Sequence, residues 1–268
     1  MNRSYLMVPG NKERYLDKIP TINADFVTVN LEDAVYDKDY ARDLVVKKLS
    51  NKNNSKVIVR VNSFKSCGQK DIIKINKIKP YAIRIPKVKS IEDINKALNL
   101  IDNDIEIHLT IETKEALELL TKLKINKKVT TVFLGILDIL ESLGLPQSLL
   151  QIDNPTIDYI LSKFLIDSKI AGFHPVSFIY QDYKDLETFE KWCKKEKKMG
   201  FLSKGCTSPS QVDIVNKIFS SDEDQILKAK YIKKVFEENY SKGISGFSDE
   251  KYGFIDEPIY KDALLILS

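Results

Sequence analysis

Residues 106–138, EIHLTIETKEALELLTKLKINKKVTTVFLGILD, contain the structural unit that decides the fold of this chain. Two apolar runs rich in β-branched residues, Glu106–Ile111 and Thr130–Leu134, are predicted to be β-strands. Lys114–Lys124, between them, has the apolar spacing of a helix. Because the strand runs are nearly continuous in apolar residues, we expect parallel strands that are covered on both faces. The unit of strand, helix and strand favours an α/β fold.

The same type of unit recurs along the chain without an obvious sequence repeat. Further strands are predicted at Tyr5–Val8, Phe26–Leu31, Lys56–Val61, Tyr81–Pro86, Gly172–Phe178 and Phe201–Lys204. Further helices are predicted at Tyr40–Leu49, Ser90–Ile101, Thr156–Lys169, Leu186–Lys198 and Pro209–Phe219. Eight strands with helices in about 220 residues fit a (β/α)8 TIM barrel. The alternative is an open doubly wound sheet, but the sequence has no G-x-G-x-x-G nucleotide-binding turn.

The residues beyond position 220 lie outside the count of eight units. Asp222–Tyr240 is predicted to be a long helix, and a Gly/Ser/aromatic stretch and a short helix from Ile259 follow it. We therefore divide the chain into a catalytic barrel, residues 1–220, and a C-terminal helical extension, residues 221–268. The extension is predicted to be a lid rather than an independent domain, packed over the barrel or onto a neighbouring subunit.

Composition excludes several classes of protein. Lys+Arg number 42 and Asp+Glu 38, a formal net charge of +4, but the lysines are dispersed, so we predict no nucleic-acid partner. No apolar run reaches the length of about 18 residues that a membrane span needs, and the N-terminus has no apolar signal core. Three widely spaced cysteines argue against a disulfide framework, and we expect a cytoplasmic protein.

Polar residues follow the ends of the predicted strands, where the active sites of barrels form. Glu112 and Asp138 each follow an apolar strand, and the two strands are sequence neighbours, so we expect their carboxylates to converge. Two carboxylates with open remaining positions suit Mg²⁺ or Mn²⁺. The alternative is that each only stabilises the N-terminus of the helix that follows it. Lys12 and Gly135, at the same rim, are candidates for substrate binding.

Arg60 stands within an apolar strand, where an arginine is costly unless it is paired. Glu32 and Asp33, on the neighbouring strand, are candidate structural partners, and a substrate carboxylate held bidentately is a second candidate. The two roles are compatible. His108 and His174 lie in apolar strands, and we interpret them as residues of the barrel wall or core rather than metal ligands.

The motifs occur in an order that resembles the citrate lyase β-subunit family, which includes citryl-CoA, malyl-CoA and citramalyl-CoA lyases. The resemblance extends over essentially the whole chain, through Arg3–Gly10, Leu31–Val35, Arg60–Asn62, Pro86-Lys87, Ile111–Thr113, Gly135-x-x-Asp138, Gly200-Phe201-x-x-Lys204, Pro209-x-Gln211 and Ile255-Asp256-x-Pro258. It implies a (β/α)8 barrel, Mg²⁺ dependence and a trimeric or hexameric homo-oligomer. It also implies cleavage, or formation, of a short 3-hydroxyacyl-CoA such as citryl-, malyl- or citramalyl-CoA, with a keto acid and an acyl-CoA as the other partners of the reaction.

The resemblance also implies roles for individual residues. Glu112 and Asp138 match the metal ligands, and Arg60 matches the arginine that holds the keto-acid carboxylate. Asp256 matches an aspartate of the C-terminal segment and is the candidate acid/base. Glu32 is the weaker alternative, with the positioning of Arg60 or of metal-bound water as its other role.

Four positions depart from the family pattern. Asn30 and Ser177 stand where the family has aspartates, Leu137 where it has a glutamate, and Ser208 where it has a histidine. The departures surround the metal pair without including it. They leave two alternatives: a CoA-independent aldolase for a free hydroxy-keto acid of the pyruvate or oxaloacetate type, and a barrel subunit that has lost catalysis.

Overall fold

The computed structural model describes residues 2–50, 52–220 and 223–267. The chain forms two compact units, residues 2–219 and the residues from Ser220 onward. The division falls beside the boundary at residue 220 that the strand count predicts. That the smaller unit is a lid rather than an independent domain stays a prediction.

The larger unit is a (β/α)8 barrel, as predicted. Its parallel strands, within residues 2–50 and 52–219, are β1 (Ser4–Pro9), β2 (Phe26–Asn30), β3 (Val57–Arg60), β4 (Ala82–Ile85), β5 (Glu106–Ile111), β6 (Val129–Leu134), β7 (His174–Val176) and β8 (Lys204–Cys206). Neighbouring strands pair in the order β7-β6-β5-β4-β3-β2-β1-β8. A parallel bridge between Ser177 and Lys204 joins the two ends of this order. The bridge closes the sheet into a ring.

Helices follow the strands around the outside of the barrel. They are α1 (Glu13–Lys18), α2 (Lys38–Leu49), α3 (Gly68–Ile75), α4 (Ile91–Leu100), α5 (Lys114–Leu119), α6 (Ile136–Ser142), α7 (Pro155–Ile170), α8 (Leu186–Met199) and α9 (Pro209–Ile218). Several begin at a side chain that accepts a hydrogen bond from a backbone N–H of the first turn: Asp37, Thr113, Asn154, Asp185 and Ser208. These caps fix where the chain turns from strand end to helix, and so the shape of the rim.

Alternation along β3 decides which side chains enter the barrel. Val57 and Val59 belong to the large apolar cluster shared with the helices, whereas Ile58 belongs to the inner cluster. Because successive side chains of a strand point to opposite faces, Arg60 shares the inner face with Ile58. The inner cluster also contains the rings of Tyr5 and Phe133, which fill the barrel interior.

The eighth strand begins at Lys204, so the prediction of a strand at Phe201–Lys204 was wrong in its bounds. Helix α8 is followed by Gly200 in the left-handed conformation, with φ of 102°, and the Phe201 N–H donates to the Glu196 carbonyl at 3.0 Å. The Phe201 ring stacks on Phe164, at 6.3 Å between centroids. Phe201 therefore belongs to the end of the helix and not to the strand.

The smaller unit consists of α10 (Glu223–Tyr240), an antiparallel hairpin of β9 (Gly246–Asp249) and β10 (Gly253–Asp256), and α11 (Glu257–Leu267). Its core contains Ala229, Ile232, Phe236, Ile255 and Ala263. The two helices were predicted, the second with a start at Ile259. The hairpin was not predicted, and Asp222 lies outside the described residues.

Candidate active site

Arg60 is the centre of a charged cluster at the carboxyl end of β3. Its Nη2 lies 2.7 Å from Glu32 Oε2, 3.2 Å from Asp33 Oδ2 and 3.3 Å from Glu112 Oε2. The side chain is buried, and among the described residues its Nε has no hydrogen-bond partner. The predicted pairing of Arg60 with Glu32 and Asp33 is present, and all of these contacts are made by Nη2.

Lys87 brings a second cation to this cluster from the end of β4. Its Nζ lies 2.8 Å from Glu32 Oε1 and 3.4 Å from Asp33 Oδ1. Glu32 Oε2 also accepts a hydrogen bond from the Asp33 N–H at 2.9 Å. Both oxygens of Glu32 are therefore engaged by neighbours, which suits a residue that orients Arg60.

Glu112 is buried at the end of β5 and points into the barrel. Its Oε1 accepts a hydrogen bond from the Lys87 backbone N–H at 2.6 Å. Burial raises the pKa of Glu112 to about 7, opposed by Arg60 and reinforced by Asp138. A Cβ placed on Gly135 would lie 2.5 Å from the Glu112 Cβ, so the glycine leaves the space that this side chain occupies.

Asp138 lies in the first turn of α6 and faces the same cavity as Glu112. Within the described part of the chain, its carboxylate has no hydrogen bond or ion pair. Partial burial and then Asp33 raise the pKa of Asp138, against the opposing influence of Arg60 and Lys87. Two neighbouring carboxylates with raised pKa values form a site that an added cation would stabilise.

The helix-terminus alternative fails for Glu112. The side chain that caps α5 is Thr113, whose Oγ1 accepts a hydrogen bond from the Ala116 N–H at 3.1 Å. The Glu112 carboxylate is turned away from this helix toward Arg60 and Lys87. Asp138 lies in the first turn of α6. This position is compatible with metal binding and with stabilisation of the helix N-terminus.

A cavity of about 450 Å³ opens at this rim and extends into the barrel. Its walls include Arg60, Glu112, Gly135 and Asp138, which the sequence analysis had assigned to one site. The strand order therefore brings these residues together, as expected for side chains at the carboxyl ends of parallel strands.

Lys12 belongs to the larger unit and Asp256 to the smaller one. Lys12 is exposed at the residue before α1, and it is not part of the described cavity wall. Asp256 ends β10 in the smaller unit, where its Oδ1 accepts a hydrogen bond from the Ile259 N–H at 3.2 Å. Their functional roles stay predictions.

The departures from the family pattern have separate structural roles. Asn30 shapes the loop after β2, because its Oδ1 accepts from the Glu32 N–H at 3.3 Å and its Nδ2 donates to the Asp33 carbonyl at 2.6 Å. Ser208 caps α9. Leu137 and Ser177 line the cavity and contribute no charged group to it.

Both histidines are structural, in line with their interpretation as wall or core residues. His108 is fully buried, with its ring 5.8 Å from that of Phe133, and its Nε2 lies 3.3 Å from Glu106 Oε2. The His174 Nε2 lies 2.7 Å from Ser203 Oγ. Neither belongs to the described wall of the cavity.

Arg84 and Lys87 are site residues to which the sequence analysis gave no role. Arg84 is buried in the cavity wall, its Nε donates to Thr110 Oγ1 at 2.8 Å, and its Cζ lies 4.0 Å from the centre of the Phe133 ring. A charged residue within Ala82–Ile85 is the same signal that identified Arg60. Lys87 was visible as a cation at a strand end, but its backbone contact with Glu112 was not.

The described part of the chain has neither a ready-made metal cluster nor a membrane-spanning helix. Within residues 2–50, 52–220 and 223–267, no group of three or more His, Cys, Asp or Glu residues is arranged to hold a metal. A metal at Glu112 and Asp138 thus needs water or substrate oxygens to complete its shell. No helix in the same ranges has the length and apolar character to cross a membrane.

Fold and site together define a barrel enzyme with a carboxylate pair and a buried arginine in one cavity at the carboxyl ends of its strands. The chain belongs to the HpcH/HpaI aldolase/citrate lyase family, which matches residues 3–209. The predicted family and the predicted enzyme class, a carbon–carbon lyase of this family, are confirmed.

The chain is similar to proteins of several organisms. It is 30% identical to the (3S)-malyl-CoA thioesterase of Cereibacter sphaeroides over 241 residues, 88% of this chain and 83% of the relative. It is 28% identical to human mitochondrial citramalyl-CoA lyase over 286 residues, 97% of this chain and 83% of the relative. The CitE protein of Mycobacterium tuberculosis, in complex with magnesium, acetoacetate and coenzyme A, superposes with a TM-score of 0.80 at 19% identity, over 99% of this chain and 97% of that one. This last likeness concerns the fold.

Proposed function

We propose that this protein is a Mg²⁺-dependent lyase that cleaves, or forms, a short 3-hydroxyacyl-CoA, with a keto acid and an acyl-CoA as the other reactants. The observation that carries the proposal is the convergence of Arg60, Glu112 and Asp138 on one cavity. Two relatives named for malyl-CoA and citramalyl-CoA support a CoA thioester as substrate. The CitE complex with magnesium and coenzyme A supports the same cofactor and thioester carrier.

Glu112 and Asp138 are the proposed metal ligands. Both offer the oxygen donors that Mg²⁺ prefers, and both have raised pKa values in the absence of added positive charge. Mn²⁺ has the same ligand preference. Mg²⁺ bound there supplies Lewis acidity and neutralises charge that develops on substrate oxygens.

Arg60 is the proposed binding residue for the keto-acid carboxylate. The residue lines the cavity, and a guanidinium is the group that pairs best with a carboxylate. Glu32 and Asp33 hold the guanidinium in place through Nη2. Gly135 keeps space for Glu112 and borders the substrate, and Lys12 is retained as a candidate at the rim.

The remaining step needs a group that moves a proton, and Asp256 is the proposed acid/base. Its carboxylate takes the substrate hydroxyl proton, and the electron pair of the O–H bond forms the keto C=O. The carbon–carbon bond breaks, and its electron pair enters the thioester as an enolate, which is then protonated at carbon. Glu32 is less suited to this role because Arg60 and Lys87 occupy both its oxygens.

A direct assay tests the proposal. The purified protein is incubated with citryl-, malyl- and citramalyl-CoA in Mg²⁺, and the products are followed by chromatography with mass detection. We expect a keto acid and acetyl-CoA in equal amounts, loss of turnover with EDTA, and at least a hundredfold loss in Glu112→Gln. Glu187→Gln, which makes the same substitution at the exposed Lys191–Glu187 pair, is the matched control. Absence of turnover with all three thioesters would contradict the proposal.

Hydrolysis of the thioester is a second candidate, because the Cereibacter relative carries the name thioesterase. The same assay separates the two reactions, since hydrolysis releases free CoA and a hydroxy acid. Turnover of a free hydroxy-keto acid without any thioester identifies the CoA-independent aldolase. A chain that binds Mg²⁺ and turns over nothing is the non-catalytic subunit.

Assembly and location are part of the proposal. We propose a homotrimer or homohexamer in the cytoplasm, with the keto acid and the acyl-CoA as its small-molecule partners. Light scattering coupled to size exclusion measures the assembly, and a monomer contradicts it.

A further inference from the structure

Arg84 lies one layer deeper in the barrel than the metal pair. It is the register partner of Arg60 on the neighbouring strand, and it follows the inward-facing Ala82 by two positions. Its Nε is bonded to Thr110, which precedes Glu112 by two residues on β5. Two residues along a strand correspond to about 7 Å. We call Arg84, Thr110 and Phe133 the cavity floor, since all three line the cavity below Glu112.

The charge balance of the two arginines is different. Arg60 is matched by Glu32, Asp33 and Glu112 within 3.3 Å. Among the described residues, Arg84 has no carboxylate within 4.0 Å, and its one side-chain hydrogen bond there is donated by Nε to Thr110 Oγ1. Its Nη1 and Nη2 groups therefore lack a protein acceptor in the described chain.

A buried cation without a matching anion is unfavourable. Burial, and then the nearby Arg60, lower the pKa of Arg84 to about 9, and the more distant Glu112 and Glu32 oppose this shift only in part. The guanidinium carbon, Cζ, lies 4.0 Å from the centre of the Phe133 ring, a cation–π contact that supplies no carboxylate partner. A small anion that enters the cavity would supply the missing negative charge.

We propose that Arg84 is a specificity-determining residue that binds a second carboxylate of the keto acid. The inference rests on the proposed function, because the metal pair and Arg60 are taken to hold the first carboxylate at the rim. A four-carbon keto diacid carries carboxylates at its two ends, and the cavity wall carries two arginines, Arg60 beside Glu112 and Arg84 beside Thr110. The substrate class is therefore a 3-hydroxyacyl-CoA whose keto product is dicarboxylic, rather than one that yields a monocarboxylic keto acid.

Two keto acids of matched shape test the assignment. Oxaloacetate and 2-oxobutyrate differ in that a terminal carboxylate replaces a methyl group. Calorimetry in Mg²⁺ measures the affinity of each for the full-length wild type, Arg84→Met, Arg84→Lys and the control Arg14→Met. Arg14 is an exposed arginine, so its loss changes net charge by the same amount outside the cavity.

We expect the wild type and Arg14→Met to bind oxaloacetate at least tenfold more tightly than 2-oxobutyrate. Arg84→Met should reduce this ratio to below threefold with its affinity for 2-oxobutyrate unchanged, and Arg84→Lys should keep a ratio above threefold. If Arg84→Met does not fold, the affinity ratios of oxaloacetate to 2-oxobutyrate in the wild type and in Arg84→Lys test the proposal instead. A wild-type ratio near one overturns it.

The outcomes also separate this inference from the proposed function. If both acids bind and Arg84→Met weakens them equally, the assignment of Arg84 is wrong and the lyase proposal stands. If neither acid binds the wild type in Mg²⁺, both proposals are contradicted.

Discussion

The backbone N–H of Lys87 holds the Glu112 carboxylate at 2.6 Å, from a residue whose φ of 54° lies in the left-handed region. A lysine in this conformation costs about 1 kcal/mol relative to glycine. The turn directs the N–H at the proposed metal ligand, and the side chain meets Glu32 and Asp33. One residue thus contributes to the site through both its backbone and its side chain.

Lys87→Gly should leave the metal site intact. The glycine keeps the N–H that holds Glu112 and adopts the positive φ without strain, while the lost ion pairs at a half-exposed lysine contribute only about 0–1 kcal/mol. We expect Mg²⁺ affinity within threefold of wild type by calorimetry. The free energy of unfolding in urea should change by less than about 1 kcal/mol. A tenfold loss of Mg²⁺ affinity would show that the side chain, and not the backbone, supports the site.

Gly135→Ala should displace Glu112. The new Cβ would lie 2.5 Å from the Glu112 Cβ and 3.1 Å from its Oε2, so the carboxylate has to move. We expect at least a tenfold loss of Mg²⁺ affinity and a destabilisation of about 1–3 kcal/mol from overpacking. Gly144→Ala is the control, because Gly144 has φ of 71° with open space around its Cβ position. It should lose stability through backbone strain and keep its Mg²⁺ affinity; unchanged affinity in Gly135→Ala would contradict the displacement.

Lys204→Met should destabilise the barrel strongly. Lys204 Nζ lies 2.7 Å from Glu196 Oε1, and both side chains are fully buried. Burial raises the pKa of Glu196 and Lys204 opposes this rise, so removal of the lysine leaves an unmatched buried acid. We expect a loss of about 3–5 kcal/mol in urea unfolding.

The double variant Lys204→Met/Glu196→Leu should recover most of that loss, because no buried charge remains. Glu187→Ala/Lys191→Ala, at an exposed ion pair of the same helix, should change stability by less than about 1 kcal/mol. A double variant as unstable as the single one would mean that the pair is needed for its geometry and not for its charge balance.

His174 should make the barrel sensitive to acid. Burial, then Lys169 and His108, lower the pKa of His174 from 6.5 to about 4. Between these two pH values the unfolded chain binds a proton that the folded chain does not, so stability falls as the pH falls from 6.5 to 4. The total effect is about 3 kcal/mol and is absent above pH 6.5. Urea unfolding of wild type and His174→Gln over this range measures it, and parallel pH profiles of the two proteins would refute it.

The barrel and its rim followed from the sequence because both depend on local patterns. The run that ends in Arg60 alternates between two apolar environments, which fixes the direction of the arginine once the strand is recognised. Glu112 and Asp138 converge because neighbouring parallel strands end at the same rim.

Other features depend on contacts that local pattern does not encode. Phe201 is as apolar as a strand residue, yet it packs on Phe164 at a helix end, which delays the eighth strand. The hairpin of the smaller unit lacks apolar alternation along β9, so period alone gave no signal for it. The Lys87 N–H that holds Glu112 is a backbone group. Almost every residue type has this group, so the identity of residue 87 does not predict the contact.

The pairing of β1 with β8 has a consequence for synthesis of the chain. The Lys204 N–H donates to the carbonyl of Arg3, and β8 ends at Cys206. The strand that pairs with β1 is therefore synthesised about 200 residues after it. While the ribosome is still making the intervening residues, the outer edge of β1 has no β8 to pair with, and unpaired edges favour association between chains. The edge of β1 is therefore covered, and association through it prevented, only after the segment through Cys206 has emerged from the ribosome.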